Sequence, residues 1–112
     1  MSKRFKISAA DIRPIVKGYG ACFATDRIVV DGERVGYMYR EDPGYGSDSG
    51  WRFTAGNESD EYMDDPHNHG VYDVNTIANY DPDIVQFLDA PAGSQFVRWP
   101  PGSPLAPDPG TS

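Results

Sequence analysis

The architecture of this chain turns on ACFATDRIVVDGERVGYMYRE, Ala21 to Glu41. Phe23, Ile28, Val29 and Val30 are strand formers, and so are Val35, Tyr37, Met38 and Tyr39. Between the two groups sits Asp31-Gly32, a pair that tolerates positive φ and closes hairpins. Val35, Tyr37 and Tyr39 share one face by the period of two, while Gly36, Met38 and Arg40 share the other. The stretch predicts a β-hairpin. After it, EDPGYGSDSG (41–50) has three glycines and a proline and predicts a loop. In WRFTAG (51–56), Trp51 and Phe53 alternate with Arg52 and Thr54, which predicts a third strand. Short connections favour antiparallel neighbours, so the three strands are expected to form a meander.

Upstream, Ser8 lies three residues before Asp11 in a weak capping-box pattern, and Ile12, Ile15 and Val16 make an apolar stripe. Pro14 falls within the first turn or so, and Gly18 supplies a stop. A short helix is expected from about Ala9 to Lys17. Downstream, Glu58 to Asp65 predicts a helical turn stopped by Pro66, with Tyr62 and Met63 as its apolar anchors. Gly70 to Val74 reads as a fourth strand. Asp81 is a good N-cap, Pro82 suits the first helical position, and Asp83 suits the positive helix start. Ile84, Val85, Phe87 and Leu88 supply that helix's buried side, and Pro91 ends it. Ser94 to Trp99 reads as a last strand. The expected fold is α+β: a mainly antiparallel sheet of four to five strands with two short helices. One domain is expected over residues 1–99, with proline-rich 100–112 as an extended or mobile tail.

At 112 residues the chain is sized for one modest core. Its formal charge of −7 is unevenly spread. Through Arg52, nine basic residues stand against seven acidic ones; from Phe53 to Val97, nine acids meet no lysine or arginine. Such a block repels nucleic acid and anionic lipid, so neither is an expected partner. It attracts a basic protein surface or a cation. Nothing reaches the length of a transmembrane helix, and MSKRFKISAAD lacks the apolar core of a secretory signal. Cys22 is the one cysteine. A cytoplasmic, reducing setting is the expectation.

The densest chemistry lies in ESDEYMDDPHNHG, Glu58 to Gly70, with five carboxylates and two histidines. His67 and His69 on a strand would project to one side, and Asp64, Asp65 or Asp73 would complete a mixed shell. No CxxC or HExxH accompanies them. An EF-hand begun at Asp65 fails, with histidines at its third and fifth positions and Thr76 at its twelfth. The plainer reading is a pair of loop histidines. Acid–base work as in glycoside hydrolysis needs two acids in unlike surroundings around a cleft, whereas these crowd one polar segment. Cys22 between Ala21 and Phe23 reads as a buried thiol more readily than as a nucleophile. Neither GYG makes a phosphate loop. Trp51, Tyr37, Tyr39, Tyr62, Tyr72 and Tyr80 are core residues or, for a few, anchors beside the acidic block.

Three stretches together, ATDRIVVDGERVGYMYRE, DSGWRFTAGNESDEYMDDP and GVYDVNTIANYDPDIVQFLDAPAGSQFVR, resemble a bacterial family of small domains, immunity protein family thirty-three of polymorphic-toxin systems. The resemblance runs roughly from Gly20 to Trp99. It implies a non-catalytic protein that binds a cognate toxin in the cytoplasm, with no cofactor and no catalytic residue. Within its motifs, Trp51, Glu58, Glu61, Tyr62, Asp73, Asn75 and Asp81 stand out, Asp81 as a cap and Asn75 as the holder of a turn. The acid block suits a toxin with a basic groove, such as a nuclease. Trp51, Glu58, Asp60, Glu61, Tyr62, Asp64 and Asp65 are the expected partner-binding residues. Two alternatives stay open: a metal-binding protein or hydrolase centred on His67, His69 and nearby acids, and a general regulatory interaction domain.

Overall fold

The computed structural model describes residues 3–44 and 46–108. In chain order it contains β1 (Ala21–Thr25), α1 (Asp26–Val29), β2 (Tyr37–Arg40), β3 (Asp48–Thr54), α2 (Asp60–Asp64), β4 (His69–Asp73), α3 (Val74–Tyr80), β5 (Gln95–Val97) and β6 (Ala106–Pro107). Three 3-10 turns, Ala9–Asp11, Pro66–Asn68 and Pro82–Phe87, complete the described elements. The strands form one sheet in the order β4-β1-β3-β2-β5-β6. The α+β class is as expected. The sheet has six strands and is mixed, because β1 pairs with β3 in parallel while the other neighbours are antiparallel.

The hairpin expected at Asp31-Gly32 does not form. After Thr25 the chain enters α1, where Ile28 and Val29 are fully buried. Gly32, at φ +79, ends this helical turn, its N–H reaching the Ile28 carbonyl. A left-handed glycine terminates a helix as readily as it closes a hairpin, and burial of two β-branched side chains against the core decided between them. The hairpin lies one loop later. β2 and β3 pair antiparallel, Tyr37 opposite Thr54 and Tyr39 opposite Arg52, across the glycine-rich loop. β1 crosses over to the far side of β3, which replaces the expected meander.

The helix expected over Ala9–Lys17 shrinks to the turn Ala9–Asp11. Pro14 disfavours helical geometry in the residue before it. The backbone beyond is held by α3 instead: Arg13 N–H donates to Asn79, and the Ile15 and Val16 N–H groups donate to Asn75. α3 itself went unread in the sequence. Its start is capped by Asp73, which accepts from the Asn75 N–H, and Val74, Ile77 and Ala78 form its buried stripe. The turn after Asp81 is 3-10, capped by the Asp81 carboxylate as expected.

One face of the sheet carries the core. Cys22, Ala24, Met38, Trp51, Phe53 and Phe96 meet Ile28, Val29, Val74, Ile77, Ile84 and Leu88. Burial pushes the Cys22 thiol well above its ordinary pKa, which suits a structural thiol. Of the proline-rich segment 100–112, residues 100–108 are described. Leu105 is 4% exposed and belongs to the core, and Ala106–Pro107 pairs with β5. Residues 109–112 lie outside the described residues.

Candidate partner-binding surface

The acidic segment folds by short-range hydrogen bonds. Ser59 caps α2 by accepting from the Tyr62 N–H at 3.1 Å. Asp65 caps the following turn, accepting from the His67 N–H at 2.9 Å and meeting His67 Nδ1 at 3.0 Å. The His67 backbone N–H, then its ring, hold the Asp65 carboxyl below the usual range. Asn68 donates to the Tyr62 carbonyl, and His69 Nε2 lies 2.7 Å from the Met63 carbonyl. The two histidines therefore part company. His67 is 93% exposed on its side chain, and His69 fastens α2 to β4. Among the described residues, no three His, Cys, Asp or Glu side chains converge as a metal site would require.

The seven residues expected to meet a partner divide sharply. Trp51 is a correction: it is 0% exposed, in the middle of the core, and its indole N–H donates to the Leu88 carbonyl at 3.2 Å. A central strand flanked by neighbours on both sides buries its large ring. Glu58 is half-buried and structural. Its carboxylate accepts from Thr25 Oγ1 at 2.5 Å and from the Ala55 and Gly56 N–H groups at 2.8 and 2.9 Å. Tyr62 is half-buried, with the Arg27 guanidinium 4.9 Å from its ring centre. Asp60, Glu61, Asp64 and Asp65 are exposed. Among the described residues, Asp60, Glu61 and Asp64 have no ion-pair partner.

Beside α2 lies a surface that sequence reasoning missed. Side chains alternate across a sheet, so with Cys22, Ala24, Met38, Trp51 and Phe53 on the core face, their neighbours point the other way. The strand register places Val71, Phe23, Arg52, Tyr39 and Gln95 in one row across that face. Val71 is 54% and Phe23 37% exposed. Arg52, on the other side of Phe23, is spent internally. It is bidentate to Asp48 at 2.9 Å, bonded to Glu41 at 3.0 Å, and stacked over Phe23 at 4.4 Å. Its hydrogen bonds hold the Asp48 carboxyl well below the carboxylate range. Met63 reaches this face from α2, and with Phe23, Asp64, Pro66 and Val71 it borders a shallow groove of about 470 Å³. The signal in the sequence was Phe23 itself, an apolar residue between two others that already fill the core face.

The described part of the chain has no helix long and apolar enough to cross a membrane. The family model for the immunity protein Imm33 domain matches residues 22–105. The chain belongs to the Imm33 family. No curated protein and no solved structure matches it. The Imm33 match opens within β1 and closes on Leu105, the buried residue of the returning segment, so it reaches past the Trp99 limit of the resemblance read from the sequence. It takes in α2, the acidic turn after it, and every strand that supplies the Val71-to-Gln95 row.

Proposed function

We propose that this Imm33 domain neutralises a cognate protein toxin by binding it, without chemistry of its own, through the surface around α2. The observation that carries this reading is the set of exposed, unpaired carboxylates Asp60, Glu61 and Asp64 next to a face with accessible apolar side chains. Charges left without partners in the free protein are available to one that brings its own. Such a rim accelerates encounter with a basic surface, and its effect fades as salt screens it. Asp65 and Tyr62 belong to the same segment, Glu58 ties its start to Thr25, and Trp51 stays in the core. A toxin with a basic groove, as a nuclease needs for its substrate, is the complement this rim fits best.

The test is coexpression with any toxin candidate found encoded beside this gene. Growth should be restored and the two proteins should copurify. The Asp60→Lys/Asp64→Lys variant should associate more slowly at low salt, with a flatter salt dependence. Protection that survives with unchanged kinetics in that variant rules out the acidic rim, and a lack of any binding rules out the toxin-neutralising role.

A further inference from the structure

The solvent side of a sheet is ordinarily polar, but here its accessible row opens with Val71 and Phe23, and Met63 closes over them from α2. Resting on the toxin-binding reading, we propose that this groove is the anchoring centre of the contact. Its occupant is a bulky apolar side chain of the toxin on a segment that also carries lysine or arginine. Three relationships on this face support that occupant. Phe23 and Val71 are directly opposed on neighbouring strands, so their exposed surfaces are continuous. Asp64 lies on the groove's border, which puts a carboxylate within reach of a cation flanking the apolar anchor. Arg52, the cation within the row, is neutralised by Asp48 and Glu41 and adds no opposing charge.

Charge also selects among occupants. A second copy of this chain would set the patch against itself in a two-fold contact and bring both acidic rims together. A lipid or nucleic-acid surface would meet the same repulsion. A cationic protein segment meets none. At about 470 Å³ the groove has room for one or two bulky side chains. Interfaces draw most of their affinity from such central anchors, whereas rim charges set rate and salt response.

The experiment compares Val71→Thr and Phe23→Thr, both of which keep a strand-forming residue, with the α2 charge reversals in binding to the coexpressed toxin at low and high salt. The groove variants should weaken binding about tenfold or more at both salt concentrations, while the α2 effect shrinks at high salt. Val71→Thr leaves the Phe23–Arg52 stacking in place, so its result stands even where Phe23→Thr unfolds. Wild-type affinity in a folded Val71→Thr protein overturns the anchor and leaves the toxin-binding reading intact. Where no toxin candidate binds the wild-type protein, that reading fails, and two peptides decide the groove. An NMR titration with acetylated Lys-Lys-Leu-Trp-Lys-Lys should shift the amides of Phe23, Met63 and Val71, and Glu-Glu-Leu-Trp-Glu-Glu should not. Equal shifts with both peptides, or shifts elsewhere, overturn it.

Discussion

Arg98 and Asp81 meet in the interior at 2.7 Å, the carboxylate fully buried and the guanidinium nearly so. The pair joins three separate parts of the chain. Asp81 caps the Pro82–Phe87 turn and accepts from the Val35 N–H at 3.0 Å, while Arg98 donates to the Val35 and Ser103 carbonyls. Arg34 and Asp83 contact each other at its outer edge.

Removing one partner should leave the other with only a longer, partly exposed contact, Asp83 at 3.3 Å from Arg98 or Arg34 at 3.5 Å from Asp81. Asp81→Asn and Arg98→Met are each expected to lower stability, by at most about 3–5 kcal/mol, because a buried charge loses its nearest counter-ion. The double variant should fall well short of the sum. Urea unfolding of the four proteins measures this coupling, and strict additivity would refute it.

Glu58 separates stability from binding. Glu58→Ala leaves the Thr25 hydroxyl and the Ala55 and Gly56 N–H groups without their acceptor, at an expected cost of about 1–3 kcal/mol. Unlike changes at Asp60 or Asp64, this loss should hardly vary with salt. Thermal unfolding at two ionic strengths distinguishes the two kinds of acid.

Asp48 makes the chain acid-sensitive. Its folded pKa is depressed by Arg52, so the stabilisation is present above the unfolded value of about 4 and fades as pH falls below it. Acid unfolding of Asp48→Asn should be less steep below about pH 4 than that of the wild type. Identical acid profiles would show that the Arg52 contact contributes nothing to folding.

Leu105 ties the C-terminal return to the core. Leu105→Ala is expected to cost about 2–3 kcal/mol and to expose residues 100–108 to protease. Limited proteolysis followed by mass spectrometry reads that release directly. Unchanged stability and unchanged cleavage would mean that the segment's docking is incidental.

Several parts of this architecture were legible because their hydrogen bonds close over a few residues. The turn over Asp60–Asp64 and the cap at Asp81 depend on groups two or three positions away. The pairing of β2 with β3 was legible as well, since a short loop joins them. α3 carried a readable pattern in Val74, Ile77 and Ala78 behind the Asp73 cap, but its asparagines and threonine are poor helix formers and masked it. The N-terminal segment misled for the opposite reason. Ile12, Ile15 and Val16 have helical spacing, yet the N–H groups of Arg13, Ile15 and Val16 are claimed by Asn79 and Asn75 some sixty residues away.

By itself, the sequence determined the α+β class, the acidic block and its local caps, and the motifs that carry the Imm33 membership. Only the tertiary structure decided that β1 lies parallel beside β3, that Trp51 is core, that Glu58 is a clamp, and that Phe23 and Val71 share an open face. The physical reason is range. Capping and charge density arise between near neighbours along the chain, whereas strand order and the choice of buried face depend on apolar contacts between distant segments, which no local pattern encodes.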